Sequence, residues 1–203
     1  MRFATVRRVV LPFLLTGVCL AVTHRPAPLP AQARATAQAP AANAMAAVLQ
    51  RNLSIIEQEF VETADAMPAD RFSFAPSSSM GEFTGVRTFA QEVTHVAAVN
   101  KNIFAALLGE KAPDMGTNEN GPASLKTKAE IMQYLRDSFA MGHRAMATIN
   151  QKNAMEKIDH PFGPRSRLDL AMISLTHPYD HFGQMVEYLR MNHIIPPTSR
   201  PGH

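Results

Sequence analysis

Apolar residues recur at helical spacing in four long segments, and no segment alternates in the manner of a strand. In residues 43–67, Leu49, Leu53, Ile56 and Phe60 step by 4, 3 and 4, and Pro68 ends the run. In 84–108 the stripe is Val86, Phe89, Val93, Val96, Asn100, Ile103 and Leu107, with Thr84 placed to cap it and Gly109 to stop it. The third segment starts near Ser124 or Thr127, where Thr127–Glu130 has capping-box form. It runs through Leu135, Phe139, Gly142, Met146 and Ile149 and fades near Asn153. The fourth, 166–192, carries Leu168, Ala171, Leu175, Pro178, Phe182, Met185 and Leu189. Pro178 predicts a bend or a restart there, since proline removes a helical hydrogen bond. Loop 68–83 carries Phe72 and Phe74 as aromatic plugs, loop 109–123 is polar, and 193–203 reads as an extended tail. Four helices with one apolar stripe each predict an all-α protein, a four-helix bundle over 43–192 with shallow crossing angles. Both long loops leave room for hairpin or crossover connections.

The first 33 residues fall outside that pattern. Arg2, Arg7 and Arg8 precede an apolar run, Val9 to Val22, and then a proline-rich stretch with Ala31 and Ala33 at small-residue positions. This is the layout of a secretory signal peptide with cleavage after Ala33, followed by a flexible segment at 34–42. The run of 14 residues is short for a bilayer span, which needs about 20. Val18 before Cys19 does not suit a lipoprotein signal. An exported, periplasmic or secreted protein with no stable membrane span after cleavage is the expectation; a retained anchor is the alternative.

Removal of that leader changes the charge and the chemistry. The full chain has 20 basic and 17 acidic residues; the leader holds four arginines and no acid, leaving 16 against 17. The balance gives no support to nucleic-acid binding, which needs a basic patch in the folded part. The single cysteine, Cys19, leaves with the leader, so the remaining chain has neither a disulfide nor a thiolate ligand. There is no nucleophile elbow, no phosphate-binding loop and no dinucleotide fingerprint. The methionines read as core filler.

Histidine is the remaining chemistry. His177 and His181 lie four apart and so share one helix face, where two imidazoles can reach one divalent ion. His95 precedes the stripe residue Val96 just as His177 precedes Pro178 and His181 precedes Phe182. All three flank their stripes on the same rotational side, which suits either a shared site between facing helices or three hydrogen-bonded boundary residues. His143 reads as a solvated helix residue, and His160, His193 and His203 sit in loops or the tail. Around the three, Glu92 is placed to hold a ring nitrogen, Asp180 to orient an imidazole, Gln184 to line a pocket and Tyr188 to supply a hydroxyl. Gly183 suits a close helix approach. No residue is assigned as catalytic.

The segments TFAQEVTHVAAVNKNIF and THPYDHFGQMVEYLRMNHIIPPTSRP resemble the DinB family over roughly residues 43–200, most specifically in the DHxGQ ending and the YLRxN that follows it. The resemblance implies a four-helix bundle with crossover connections, commonly a homodimer. It also implies a divalent metal on three histidines, at positions that match His95, His177 and His181. Pro178 departs from expectation directly after the first histidine of the pair. Three histidines leave an open coordination position, as catalytic sites do. Zinc or nickel suits imidazole ligands best, with iron or manganese also able to fit. The expected function is a metal-dependent hydrolase or a thiol-dependent transferase acting on a small molecule; the alternative is a non-catalytic metal- or ligand-binding bundle.

Overall fold

The computed structural model describes residues 43–161 and 163–202, so the leader, Cys19 and segment 34–42 lie outside the described residues. Four helices form: α1 (Ala44–Ala66), α2 (Phe89–Leu108), α3 (Lys128–Ala147) and α4 (Arg167–Met191). The predicted stripes are buried: Leu53, Ile56 and Phe60 of α1 meet Val93, Val96 and Ile103 of α2, Leu135 and Phe139 of α3, and Leu170, Met185 and Leu189 of α4 in one core. No helix among the described residues is long and apolar enough to cross a membrane.

Extensive contacts pair α2 with α3, α1 with α3, α1 with α4 and α2 with α4, so α1 faces α2 across a diagonal and α3 faces α4. The connections 67–88 and 148–166 therefore cross the bundle, and the α2–α3 connection joins neighbours. Side-chain ties fix the directions. Arg167 at the start of α4 donates to the Leu107 carbonyl at the end of α2 (2.8 Å), and Lys128 at the start of α3 donates to the Asp65 and Met67 carbonyls at the end of α1. The pairs α1–α3 and α2–α4 are thus antiparallel, whereas α2 and α3 run parallel, with Arg144 near the end of α3 donating to Glu110 just past the end of α2 (3.0 Å). Where α1, α2 and α3 meet, Gly142 lets them close: a Cβ there would lie 2.7 Å from the Phe104 ring.

Several boundaries differ from the sequence expectation. Helix α2 starts at Phe89, capped by Thr88 rather than Thr84. Thr88 and Gln91 form a reciprocal capping box, whereas Gly85 at φ 82° turns the chain just after Thr84. Helix α3 ends at Ala147, and the following residues to 155 are mostly turns. Lys157–Ile158 pairs antiparallel with Arg165–Ser166, a ladder too short for alternation to reveal. Pro178 neither breaks nor restarts α4, which runs unbroken through it with Pro178 buried. The proline costs one hydrogen bond, but buried Ser174 and Leu175 before it and His181 and Met185 after it anchor both flanking turns. The tail folds back instead of extending: Ile194 N–H donates to the Leu189 carbonyl, and Pro197–Ser199 forms a 3-10 turn against α1 with Pro197 buried. Gly183 does not mediate a close approach, because it is exposed and a Cβ there would meet nothing within 4 Å.

The crossover before α2 supports that helix's end. Phe72 packs edge-on against Phe89, at 5.4 Å between ring centroids. The Phe74 and Phe72 carbonyls accept from Phe89 N–H and Ala90 N–H, both at 2.8 Å. Two first-turn donors that α2 itself cannot pair are thereby satisfied, and the helix carrying His95 is held at its start.

Candidate metal centre

His95 from α2 and His177 and His181 from α4 converge between the two helices. The Nε2 atom of His177 lies 3.1 Å from Nε2 of His95 and 3.1 Å from Nε2 of His181. His95 and His181 are 4% and 6% exposed, and His177 is half-buried. Pro178 leaves His177 aimed inward with its partners.

The groups behind the rings decide what the converging nitrogens are. His95 Nδ1 lies 3.0 Å from the Glu119 backbone carbonyl, which can only accept, so the proton sits on Nδ1 and Nε2 carries a lone pair. His181 Nδ1 lies 2.5 Å from a carboxylate oxygen of Glu92, itself 1% exposed, which gives His181 the same tautomer. Two lone pairs thus point toward His177 Nε2. That atom carries one proton at most and can satisfy only one of them. His177 Nδ1 is buried and has no hydrogen-bond partner among the described residues.

Protonation does not resolve the cluster at neutral pH. Burial, then the positive charge of Arg87, then His181, hold His95 down to about 4, against a smaller opposing effect of its bond to Glu119. Burial and the neighbouring His181, His95 and Arg87 hold His177 down to about 3. Neutral imidazoles are what a metal site requires. Ligand atoms at 2.0–2.1 Å from one divalent ion stand about 2.9–3.4 Å apart in octahedral or tetrahedral arrangements, and the observed 3.1 Å separations fall in that range. The donor set fits a divalent ion and leaves coordination places that the three rings do not fill.

The other sequence candidates divide. Glu92 backs His181 on α4 rather than His95 on its own helix. Asp180 is exposed and accepts from Gln184 Nε2 (3.4 Å), so the two bond to each other at the surface. Tyr188 is buried, and its hydroxyl donates to the Arg87 backbone carbonyl (3.1 Å). Burial, with the charge of Glu92 behind it, raises the phenol above its ordinary value. His143, expected in solvent, is half-buried and bonded to Glu57 (2.7 Å) and Gln50 (3.3 Å) across the α1–α3 seam.

Sequence reasoning passed over the loop Gly116–Gly121 and Arg87. Gly116 and Gly121 have φ of 73° and 77°, and the left-handed region also holds Asn118 (54°) and Glu119 (59°). A Cβ on Gly116 would lie 1.9 Å from the Gly121 carbonyl oxygen, so the loop closes only with glycine there. The conformation aims the Glu119 carbonyl at His95. The visible signal was GTNENG, two glycines enclosing two asparagines, a composition suited to left-handed backbone. The loop also lines a cavity of about 740 Å³ with Gln91, Thr94 and Lys126, and one of about 380 Å³ with Arg87 and Gln91. The histidines line neither.

Comparison with known proteins agrees with this architecture. A crystal structure at 2.01 Å of a DinB-like protein from Bacillus cereus ATCC 10987 superposes with a TM-score of 0.56, covering 73% of this chain and 93% of that one. At 16% identity the likeness shows the shared fold. No curated protein matches the sequence. Residues 52–185 match the profile of the DinB superfamily, and the chain belongs to that family.

Proposed function

We propose that this chain binds one divalent metal ion through Nε2 of His95, His177 and His181 and uses it as a metal-dependent hydrolase or thiol-dependent transferase on a small molecule. The observation that carries the reading is the convergence of three Nε2 atoms from two buried histidines and one half-buried one, two of them fixed as lone pairs by acceptors behind their rings. Without a cation at least one of those lone pairs has no donor, since His177 Nε2 carries one proton at most, a costly arrangement in a buried site. A bound ion would supply a Lewis acid able to polarise a substrate oxygen or to make a water or thiol more acidic. The protein's own part is to hold His95 and His177 neutral and to fix two tautomers. Zinc or nickel suits the all-imidazole set best, and iron or manganese also fits. The signal-like first 33 residues support a site of action outside the cytoplasm.

Cobalt(II) substitution tests the catalytic reading. One cobalt per chain is expected, with visible bands that change when a small thiol or azide is added, because an exchangeable place is open. Bands that ignore both additives would mean a site closed by the protein and would favour the non-catalytic bundle. Failure to take up cobalt would remove the metal from the proposal.

A further inference from the structure

We propose that Arg87 is a positioning residue for this centre: its guanidinium clamps segment 118–120, so that the Glu119 carbonyl holds His95 with Nε2 turned toward His177 and His181. The inference rests on the metal-binding reading and adds to it the means by which one ligand is aimed.

Arg87 immediately precedes the N-cap Thr88 and so lies just outside α2, where its side chain can reach the loop that follows the same helix. Its Nε–H donates to Asn120 Oδ1 (2.8 Å), and a terminal N–H donates to the Asn118 carbonyl (3.1 Å). Those two acceptors flank Glu119, whose carbonyl receives His95 Nδ1–H. The segment needs such a clamp, because Asn118 and Glu119 both occupy the left-handed region, which costs free energy for residues with a Cβ. At its base the loop is closed by Gly121 N–H donating to the Met115 carbonyl (2.7 Å). Its tip is a 3-10 turn, with Glu119 N–H donating to the Gly116 carbonyl (3.3 Å) and Asn120 N–H to the Thr117 carbonyl (3.2 Å), and Arg87 and His95 tie that turn to α2.

Arg87 is itself held from the other helix of the site. The Tyr188 hydroxyl donates to its backbone carbonyl, and Tyr188 lies two turns beyond His181 on α4 with its ring edge-on to Phe74 (5.7 Å between centroids). A continuous set of contacts therefore leaves α4 at Tyr188, passes through Arg87 and the loop to His95 on α2, and returns to α4 at His177. The relative placement of the α2 ligand and the two α4 ligands is thus fixed on both sides of the site. A planar guanidinium spans the two acceptors on either side of Glu119, which a lysine ammonium does not reproduce. The charge of Arg87 also contributes to the lowered basicity of His95 and His177.

The test compares wild type with Arg87→Lys, Arg87→Gln and Asn120→Ala. It uses zinc affinity by chelator competition and the His95 tautomer in metal-free protein by ¹⁵N imidazole shifts, with circular dichroism to confirm folding. If Arg87 positions the loop, Arg87→Lys and Asn120→Ala each lose about tenfold in zinc affinity, the lower end for supporting contacts. A variant carrying both Arg87→Lys and Asn120→Ala then loses little more than either single, and His95 in both singles changes from a fixed Nδ1–H form to a mixture. If Arg87 acts only by charge, Arg87→Lys matches wild type and Arg87→Gln binds zinc more tightly, which overturns the proposal. Should Arg87→Lys fail to fold, Asn120→Ala, which removes one acceptor only, decides. If wild type binds no zinc, the metal reading fails on its own, and the tautomer in metal-free protein still decides the role of Arg87: a His95 unchanged in every variant overturns it.

Discussion

Histidines bridge helices at two places in this bundle, and the two differ in what their nitrogens meet. At the α1–α3 seam, His143 contacts Glu57 and Gln50 through its two ring nitrogens. Each ring nitrogen there meets the side chain of a residue other than histidine. At the α2–α4 seam, His95 and His181 are satisfied only from behind, and their front nitrogens meet other histidines. A histidine that bridges two helices is therefore not itself a sign of a site. The sign is a set of buried lone pairs that the protein fixes in place and for which it supplies too few donors.

Expected outcomes follow from that contrast, from the largest effect to the smallest. Wild type should gain roughly 2.7 kcal/mol against unfolding at zinc one hundredfold above the dissociation constant. His181→Ala should gain nothing, and melting with and without zinc reads the difference. Gly116→Ala, which strains φ 73° and drives a Cβ into the Gly121 carbonyl, should destabilise by about 1–3 kcal/mol in urea unfolding. It should also weaken zinc binding by displacing Glu119. Glu92→Gln should weaken zinc 10- to 100-fold, roughly the cost of disturbing a carboxylate behind a ligand ring, as isothermal titration would show.

Metal-free protein should also lose stability as pH falls below about 6.5 toward 4, because unfolded His95 and His177 take up protons that the folded rings, at about 4 and about 3, refuse. That stability is fully present above the unfolded value and falls as pH drops. Unfolding free energies at pH 7 and 5 check the sign, and His177→Ala should flatten the slope. The smallest effect belongs to the other seam: His143→Ala should cost about 1 kcal/mol or less and leave zinc affinity unchanged.

The helices were legible from spacing along the chain, which also put His177 and His181 on one face; that His95 joins them was only one of two readings until the resemblance to the DinB family implied it. Leu53, Ile56 and Phe60 mark the buried face of α1, and His177 and His181 share one turn of α4. Boundaries were less legible where two caps competed: Thr84 and Thr88 both suit a helix start, and only Thr88 has Gln91 three residues on to complete the box. Pro178 does not restart α4, because the packing on either side of it outweighs the one hydrogen bond that a local rule counts. Glu92 was visible as a candidate, but its partner was not, since the ring it backs stands 89 positions away. The loop at 116–121 acts through a backbone carbonyl, and a carbonyl is the same in every residue. Glu119 could not announce itself by side-chain chemistry, and Arg87 matters only because of where that loop lies.

Metal content separates the two seams most directly. Wild type, His177→Ala and His143→Ala would be purified without a metal-affinity column, reloaded with zinc, nickel or manganese, desalted and measured by inductively coupled plasma mass spectrometry. About one divalent ion per chain in wild type and in His143→Ala, with none in His177→Ala, is the expected result. No ion in wild type, or an ion retained in full by His177→Ala, would contradict a centre built on these three histidines.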